Sequence, residues 1–531
     1  MAKYIFVTGG VISGLGKGVI SASIGSILQM LGEKNITIKK LDPYLNIDPG
    51  TMNPTEHGEV FVTEDGTETD LDLGYYERFL EIKTSKINST SSGKLFQQIL
   101  NNERGGKYLG KTVQMVPHFT NIIKDFIHYN PNNCDYIICE IGGCVGDIEA
   151  MAFYEAIRKL RNNVGLENIL FIHLTYLVHY SITDELKTKP TQNNIRELQQ
   201  VGITPDILIC RTEKKMSKEI KGKLSLHTNL PESHIIEAIN LSSIYKVPLN
   251  LIKENIHTIL SKKLNIHSKI NSKKWELLNH KIEKCKDTIN IGLLGKYTEL
   301  NDSYKSLLEA ISHAGVYHNY NINIRWINAR ECKNYTEELN HVQGIIIPGG
   351  FGESGIENML SAIKIIRTMK IPIFGICLGM QLMIIEYFRN IINIKDATSE
   401  EFNNQGTNVI TKINTIDINI GGTMRLGLKK INLVPSNTKS IYHKDVILER
   451  HRHRFAINDS FKTILQQNDC FVSGSSEEGI IEIIELKDHP WYIGCQFHPE
   501  YNSTPFNPHK LFVSFIQSCI LPRRFTMNVI Y

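Results

Sequence analysis

Gly375-Ile376-Cys377-Leu378-Gly379 sets one cysteine between two glycines, directly after the apolar stretch 371–374. A strand running into a Gly-x-Cys-x-Gly turn and then a helix, here 380–388, presents a nucleophile at a sharp bend, with a thiol in place of a hydroxyl. The glycines permit the cramped turn, and the helix's first amides favour the thiolate and hold an oxyanion. Farther on, Gln496-Phe497-His498-Pro499-Glu500 closes another apolar stretch. His498 is a candidate base, and the Glu500 carboxylate two residues away is placed to orient it. A free cysteine is more often simply buried. The joint occurrence of the elbow and His-x-Glu favours nucleophilic catalysis.

The other end of the chain carries phosphate chemistry. The strand-like run Tyr4-Ile5-Phe6-Val7-Thr8 leads into Gly9-Gly10-Val11-Ile12-Ser13-Gly14-Leu15-Gly16-Lys17-Gly18, and a helix is expected from about 19 to 31. A strand, a glycine-rich loop with lysine and a helix cradle phosphates on backbone N–H groups. The spacing is longer than in a standard P-loop, and Gly18 stands where Ser or Thr would meet Mg²⁺. The metal then needs carboxylates from elsewhere. Asp70-Leu71-Asp72 offers one source, and Glu140, ending the run 136–139, offers another at a strand's C-terminal end.

These groups need two α/β scaffolds. At 531 residues the chain exceeds one ordinary core. The first half alternates short β-like runs (36–39, 136–139, 169–174, 207–210) with helical stretches, as a mostly parallel sheet requires. From about 251 to 287 the chain turns polar, helical and Lys-rich, a connection between domains. A second α/β pattern opens at 288–295 and repeats at 344–348 and 371–374. The fold class expected is α/β, with two doubly wound, mostly parallel-sheet domains.

Hydrophobic residues at 41% and charged residues at 21% describe a soluble globular protein, and a net charge of +4 argues against a nucleic-acid partner. The ten cysteines form no CxxC pair, so neither a zinc site nor a disulfide framework is indicated. With no signal peptide and no membrane-length apolar run, the expectation is a cytoplasmic protein with no membrane partner.

Cys377, His498 and Glu500 resemble the triad of class I glutamine amidotransferases, and the chain as a whole resembles the CTP synthase family. The resemblance rests on many ordered strings. They include the 4–18 loop, Lys40-Leu41-Asp42-Pro43-Tyr44, Glu56-His57-Gly58-Glu59-Val60, Asp70-Leu71-Asp72-Leu73-Gly74, Lys187-Thr188-Lys189-Pro190-Thr191-Gln192, Pro348-Gly349-Gly350-Phe351-Gly352, Gly421-Gly422-Thr423-Met424-Arg425-Leu426-Gly427 and Glu449-Arg450-His451-Arg452-His453-Arg454.

It implies a synthetase domain at 1–266, a linker at 267–287 and a glutamine amidotransferase domain at 288–531, converting UTP to CTP with ATP and glutamine. A carbonyl oxygen leaves poorly, so ATP must first phosphorylate it; ammonia then displaces phosphate. Lys17 and the loop Gly14, Leu15, Gly16, Gly18 and Val19 would hold ATP phosphates, and Lys40 would stabilise the transferring phosphoryl group. Asp72 and Glu140 would hold Mg²⁺, with Asp72 also counted at the ATP site.

The resemblance places UTP, and CTP as inhibitor, at Ser13, Asp147, Ile148, Glu149, Lys187 to Gln192 and Lys223. Gly350 and Leu378 would supply oxyanion amides. It adds Gly379, Met380, Gln381, Glu401 and Arg454 around glutamine, and His57 and Val60 along an ammonia passage. The 421–427 segment with Arg425 resembles a lid linked to activation by GTP, and a homotetramer is implied.

Some positions depart from the family pattern. Leu177-Val178-His179-Tyr180 has His179 where the family shows proline, His227 replaces an expected phenylalanine, and Glu400-Glu401 leaves the glutamine-binding acid open by one position. The segment 403–420 is short and the tail 522–531 idiosyncratic. A cobyrinic-acid amidase type of ligase and a degenerate nucleotide-binding scaffold are the alternatives. The first lacks the Lys-Thr-Lys-Pro-Thr-Gln string, and the second predicts a broken catalytic residue.

Overall fold

The computed structural model describes residues 2–296, 300–332, 335–402, 405–413 and 424–521. The chain forms two compact units, Met1–Pro49 with Asp72–His280, and Gly50–Leu71 with Lys281–Tyr531.

The first unit is built on seven strands: β1 (Lys3–Gly9), β2 (Ile36–Asp42), β3 (Ser89–Ser91), β4 (Tyr136–Ile141), β5 (Ile169–Tyr176), β6 (Ile207–Thr212) and β7 (Ile235–Ile239). Their order is β7-β6-β5-β1-β4-β2-β3, and every pairing is parallel. Ile5, Phe6 and Val7 of β1 are fully buried, as are Ile137 and Ile138 of β4. Such unbroken apolar runs mark strands covered on both faces. The covering helices include α1 (Lys17–Met30), α2 (Asp72–Leu80), α3 (Met151–Val164), α4 (Lys189–Gln200) and α5 (Lys218–Thr228). The connection from β1 runs toward β2 and that from β4 crosses back to β5, so the order reverses between β1 and β4. The crevice at the carboxyl ends of β1 and β4 is where such sheets bind ligands.

The strands run farther than their apolar cores suggest. β2 continues through Lys40 to Asp42 and β4 through Glu140 to Ile141, because these charged side chains neutralise one another at the sheet's end. Past β7 come short helices, ending in Lys273–Lys284, consistent with the polar, strandless composition.

The second unit has nine strands: β8 (Asp287–Gly295), β9 (Tyr320–Asn328), β10 (Gly344–Ile347), β11 (Ile373–Ile376), β12 (Arg425–Leu433), β13 (Val446–His453), β14 (Cys470–Ser476), β15 (Ile481–Leu486) and β16 (Tyr492–Cys495). The order is β9-β8-β10-β11-β16-β15-β14-β12-β13. The first five are parallel and the rest join antiparallel. Helices α6 (Lys305–Tyr317), α7 (Ile356–Thr368), α8 (Leu378–Asn390) and α9 (Lys510–Ile520) complete the layers. One apolar core gathers Ile363 of α7 with Leu382 and Ile385 of α8. The other gathers Leu307 of α6 with Phe512 and Phe515 of α9.

Gly50–Leu71 joins this second unit as an antiparallel hairpin of Val60–Val62 with Glu68–Asp70. The Glu59 carboxylate, buried, accepts from the Ser306 hydroxyl and from its N–H at 2.7 Å. The Tyr501 hydroxyl donates to Val60 O at 2.9 Å, and Arg450 Nη1 to Val62 O at 3.0 Å. Among the described residues, no helix is long and apolar enough to cross a membrane.

Candidate active sites

In the first unit, β1 ends in a loop whose Gly16 takes φ +91° and caps α1. Only glycine adopts that conformation cheaply. Lys17 begins the helix, so helical geometry starts earlier than position 19 and Gly18 lies inside the first turn. The Lys17 ammonium donates to Gly143 O at 2.5 Å, and burial, followed by the nearby Lys40 charge, lowers its pKa.

A β-carbon on Gly18 would meet Asp72 Oδ1 at 1.9 Å. The carboxylate at the start of α2 therefore fills the space of the missing hydroxyl. Lys40 and Glu140 are register partners on β2 and β4. Lys40 Nζ lies 2.9 Å from Glu140 Oε1 and 3.6 Å from Asp42 Oδ1, and it also pairs with Asp72. Burial, then the Asp72 charge, raises the Glu140 pKa.

Tyr76, four residues after Asp72 on α2, donates to Glu140 Oε2 at 2.5 Å. Tyr76 lies outside the motifs that the sequence displays. Its i+4 spacing from Asp72 was the available signal. The donor set of two carboxylates gathered on one cation suits a hard divalent ion such as Mg²⁺.

Beside the loop lies a hollow of about 100 Å³, lined by Gly16, Ile20, Ala238, Asn240, Leu241 and Arg211 among others. Arg211 Nη1 donates to Leu15 O at 2.8 Å, tying the hollow to the glycine loop. These residues come from the start of α1 and from the ends of β6 and β7, so no local string announces them.

The residues expected around UTP are distributed differently. Ser13, Asp147, Ile148, Glu149, Lys187 and Lys223 are exposed, whereas Thr188, Thr191 and Gln192 are buried at the start of α4. Gln192 Nε2 donates to Thr188 Oγ1 at 3.1 Å, and Thr191 Oγ1 lies 3.0 Å from Thr175 Oγ1. Lys189 is exposed and Pro190 half-buried on the same turn. Lys187 pairs with Glu185 across a small exposed hairpin. His179 lies on that hairpin 2.9 Å from Asp184, and His227 is exposed in the last turn of α5.

In the second unit, β11 runs into Cys377, which takes φ +54° and ψ −106° as the N-cap of α8. Such a backbone is strained for a residue with a β-carbon. Both flanking glycines are required by packing: a β-carbon on Gly379 would lie 2.1 Å from Ile347 O, and one on Gly375 2.2 Å from Met383 Sδ.

His498 Nδ1 is 2.7 Å from Glu500 Oε1. Burial opposes a charged imidazole, but Glu500 and the Cys377 sulfur outweigh it and push the His498 pKa up to about 10. Cys377, His498 and Glu500 line a cavity of about 70 Å³ with Gly349 and Gly350. Gly349 is packed so closely that a β-carbon there would lie 2.9 Å from His498 Cε1 and 3.5 Å from Cys377 Cβ. Glu59 and Val60, from the hairpin segment, form another wall, while His57 Nε2 sits 3.8 Å from Asp70.

Leu378 and Met380 are buried in the first turn of α8. Gln381 Nε2 donates at 3.2 Å to both Phe455 O and Gln496 Oε1, and Gln496 Nε2 reaches the Cys377 sulfur at 3.6 Å. Glu401 Oε1 accepts the Gly352 N–H at 2.8 Å, and Arg454 acts on it electrostatically. Glu400 instead accepts the Lys412 N–H at 2.7 Å, so of the two acids Glu401 is the one bonded to the 348–352 loop. Arg425 pairs with Glu482 at 2.5 Å. Residues 414–423, with the start of the expected lid, and the tail 522–531 lie outside the described residues.

A doubly wound unit with a glycine loop and carboxylate cluster, joined to a cysteine-elbow unit, defines an amidotransferase-coupled, nucleotide-using ligase. A family model described as CTP synthase N-terminus matches residues 3–266, and one described as glutamine amidotransferase class-I matches 299–518. The CTP synthase of Hydrogenobaculum sp. is 49% identical, with 98% of each chain covered. That of Aquifex aeolicus is 46% identical over 99% of this chain and all of its own. Among solved structures, the glutaminase domain of Trypanosoma brucei CTPS with bound acivicin is 30% identical, covering 44% of this chain and 93% of that one, with a TM-score of 0.42. The chain belongs to the CTP synthase family. It is a ligase that forms a C–N bond, making CTP from UTP with a glutamine amidotransferase domain and nucleotide substrates.

Proposed function

We propose that the two clusters divide the reaction between them. Cys377 attacks the side-chain amide of glutamine, with the N–H groups of Gly350 and Leu378 receiving the oxyanion. His498, held by Glu500, gives its proton to the departing ammonia, and water then frees glutamate from the thioester. Gly379, Met380 and Gln381 shape the pocket, and Glu401 and Arg454 take the ammonium and carboxylate of the amino acid. The observation that carries this reading is the strained Cys377 at the helix N-terminus, in one cavity with the His498–Glu500 pair.

In the synthetase domain, 1–266, the loop Gly14 to Val19 and Lys17 hold ATP phosphates, and the hollow around Ile20, Ala238 and Arg211 takes the adenine. UTP lies at Ser13, Asp147 to Glu149, Lys187 to Gln192 and Lys223. The γ-phosphoryl group passes to O4 of UTP and ADP leaves; ammonia then bonds to C4 and phosphate departs. Lys40 offsets charge on the transferring group. Asp72 and Glu140 would hold Mg²⁺, which supplies further positive charge to the phosphates when bound. The linker is 267–287, and 288–531 is the amidotransferase domain, to which His57 and Val60 contribute the start of an ammonia passage.

Regulation and assembly belong to the same proposal. GTP activates through the 421–427 segment with Arg425, CTP inhibits at the UTP site, and the protein works as a cytoplasmic homotetramer. Exposed Leu45, Leu109 and Ile148 on the first unit support self-association.

The test is CTP formation from UTP, ATP and Mg²⁺ by wild type and Cys377→Ala, supplied with glutamine or with ammonium at raised pH. Loss of glutamine-driven activity by about 1,000-fold or more, with ammonia-driven activity kept, is the expected result. A Cys377→Ala enzyme that still uses glutamine overturns the assignment.

A further inference from the structure

Lys296 follows β8 and is 5% exposed, an unusual place for an ammonium. Its Nζ donates to Gly352 O and lies 3.5 Å from Phe351 O. The N–H of Gly352 goes to Glu401 Oε1 at 2.8 Å. The peptide linking Phe351 to Gly352 is therefore gripped at both ends, its carbonyl toward a cation and its N–H on a carboxylate. Arg452 adds a third hold, its guanidinium 5.1 Å above the Phe351 ring. Gly352, at φ +77°, has no β-carbon to fix its own direction, so the loop's course depends on these contacts.

The same loop carries Gly350, two residues away, along the wall of the Cys377 cavity. An oxyanion donor works only when aimed where charge develops, and a misplacement of about 1 Å costs on the order of 100-fold in rate. We infer that Lys296 is a positioning residue of glutamine hydrolysis, orienting the Phe351–Gly352 peptide and through it the Gly350 N–H. This rests on the reading of Cys377 as nucleophile and Gly350 as oxyanion donor.

Among the described residues, Glu401 attracts the Lys296 ammonium and Arg330 opposes it. Burial lowers the Lys296 pKa to about 8, so the ammonium form still dominates at neutral pH. Glu401 thus holds the loop from one side while facing the substrate's ammonium from the other. Removing Lys296 leaves that substrate contact in place, so the loss falls on kcat and not on glutamine KM.

The experiment measures four quantities in wild type, Lys296→Met and Lys296→Arg. They are glutamine hydrolysis (kcat and KM separately), ammonia-driven CTP formation, and alkylation of Cys377 by iodoacetamide followed by mass spectrometry. For Lys296→Met the expectation is a kcat about 100-fold lower, with KM, Cys377 alkylation and ammonia-driven synthesis all within about threefold of wild type. Lys296→Arg, which keeps a cationic donor, recovers part of kcat.

A Lys296→Met kcat within threefold of wild type overturns the inference, as does a loss confined to KM. Should Lys296→Met fail to fold, seen as lost ammonia-driven synthesis, Lys296→Gln takes its place under the same criteria. Wild type that hydrolyses glutamine independently of Cys377 would instead refute the nucleophile assignment, a separate result.

Discussion

Gly18 and Asp72 compete for one volume: a β-carbon on the glycine would sit 1.9 Å from Oδ1 of the aspartate. A serine there, as in an ordinary P-loop, would supply a hydroxyl and expel the carboxylate that replaces it. The two positions, far apart in sequence, form one chemical unit.

Gly18→Ser is therefore expected to damage the enzyme although it restores the commoner motif. CTP formation should fall by about 100-fold or more with glutamine and with ammonium alike, while Cys377-dependent glutamine hydrolysis continues. Equal rates for Gly18→Ser and wild type in the ammonium assay would show that Asp72 is not needed at that spot.

The His498–Glu500 pair gives a pH-dependent prediction. His498 has an ordinary value of 6.5 and about 10 in the fold, so folding favours its protonated form. The stabilisation is fully present below about 6.5 and is lost as pH rises toward 10. Glu500→Gln removes the main partner, so its destabilisation relative to wild type, measured by urea unfolding, should be largest near pH 6 and shrink at alkaline pH. A gap that widens with pH contradicts the assignment.

Gly379→Ala tests the packing of the elbow. The added carbon would meet Ile347 O at 2.1 Å, a backbone atom with nowhere to go. Overpacking of this kind costs about 1–3 kcal/mol or more. A lower thermal midpoint by several degrees, with glutamine hydrolysis below a tenth of wild type, is expected. Calorimetry and a glutaminase assay decide it.

Glu59→Ala tests the anchoring of the hairpin segment. It removes the carboxylate that the Ser306 N–H and hydroxyl donate to, and loosens the segment that bears Val60. Amide exchange of residues 60–62 should accelerate at least tenfold, read by mass spectrometry, while exchange in β1 and β4 stays unchanged. Unaltered exchange at 60–62 would mean that the Tyr501 and Arg450 bonds suffice.

Local patterns carried most of what was legible. The glycine loop, the cysteine elbow and the His-x-Glu step are each written within a few adjacent residues, and the chain folds them as strand, turn and helix. Strand ends were less readable, because Lys40, Asp42 and Glu140 look like solvent-facing charges until they meet one another. Glu400 and Glu401 read alike in the sequence, and only the fold shows the first accepting the Lys412 N–H and the second the Gly352 N–H. Lys296 gave no sign at all, since a lysine after a strand is ordinarily solvated. The membership of Gly50–Leu71 in the second unit was equally silent: its partners Ser306, Arg450 and Tyr501 are hundreds of residues away.

That last feature bears on how the protein is made. A ribosome delivers residues 50–71 early, yet their partners emerge only with the second half; the Val60–Tyr501 bond spans 441 positions. The entropic cost of closing so long a loop rises by only about 0.6 kcal/mol per doubling, so the finished state tolerates it. The nascent chain, however, must carry a hairpin with apolar Val60, Phe61 and Val62 unsheltered through most of translation. The second unit cannot complete its cavity wall until that waiting strand is recovered. A fragment beginning at 281 would therefore lack Glu59 and Val60, and with them one wall of the Cys377 cavity.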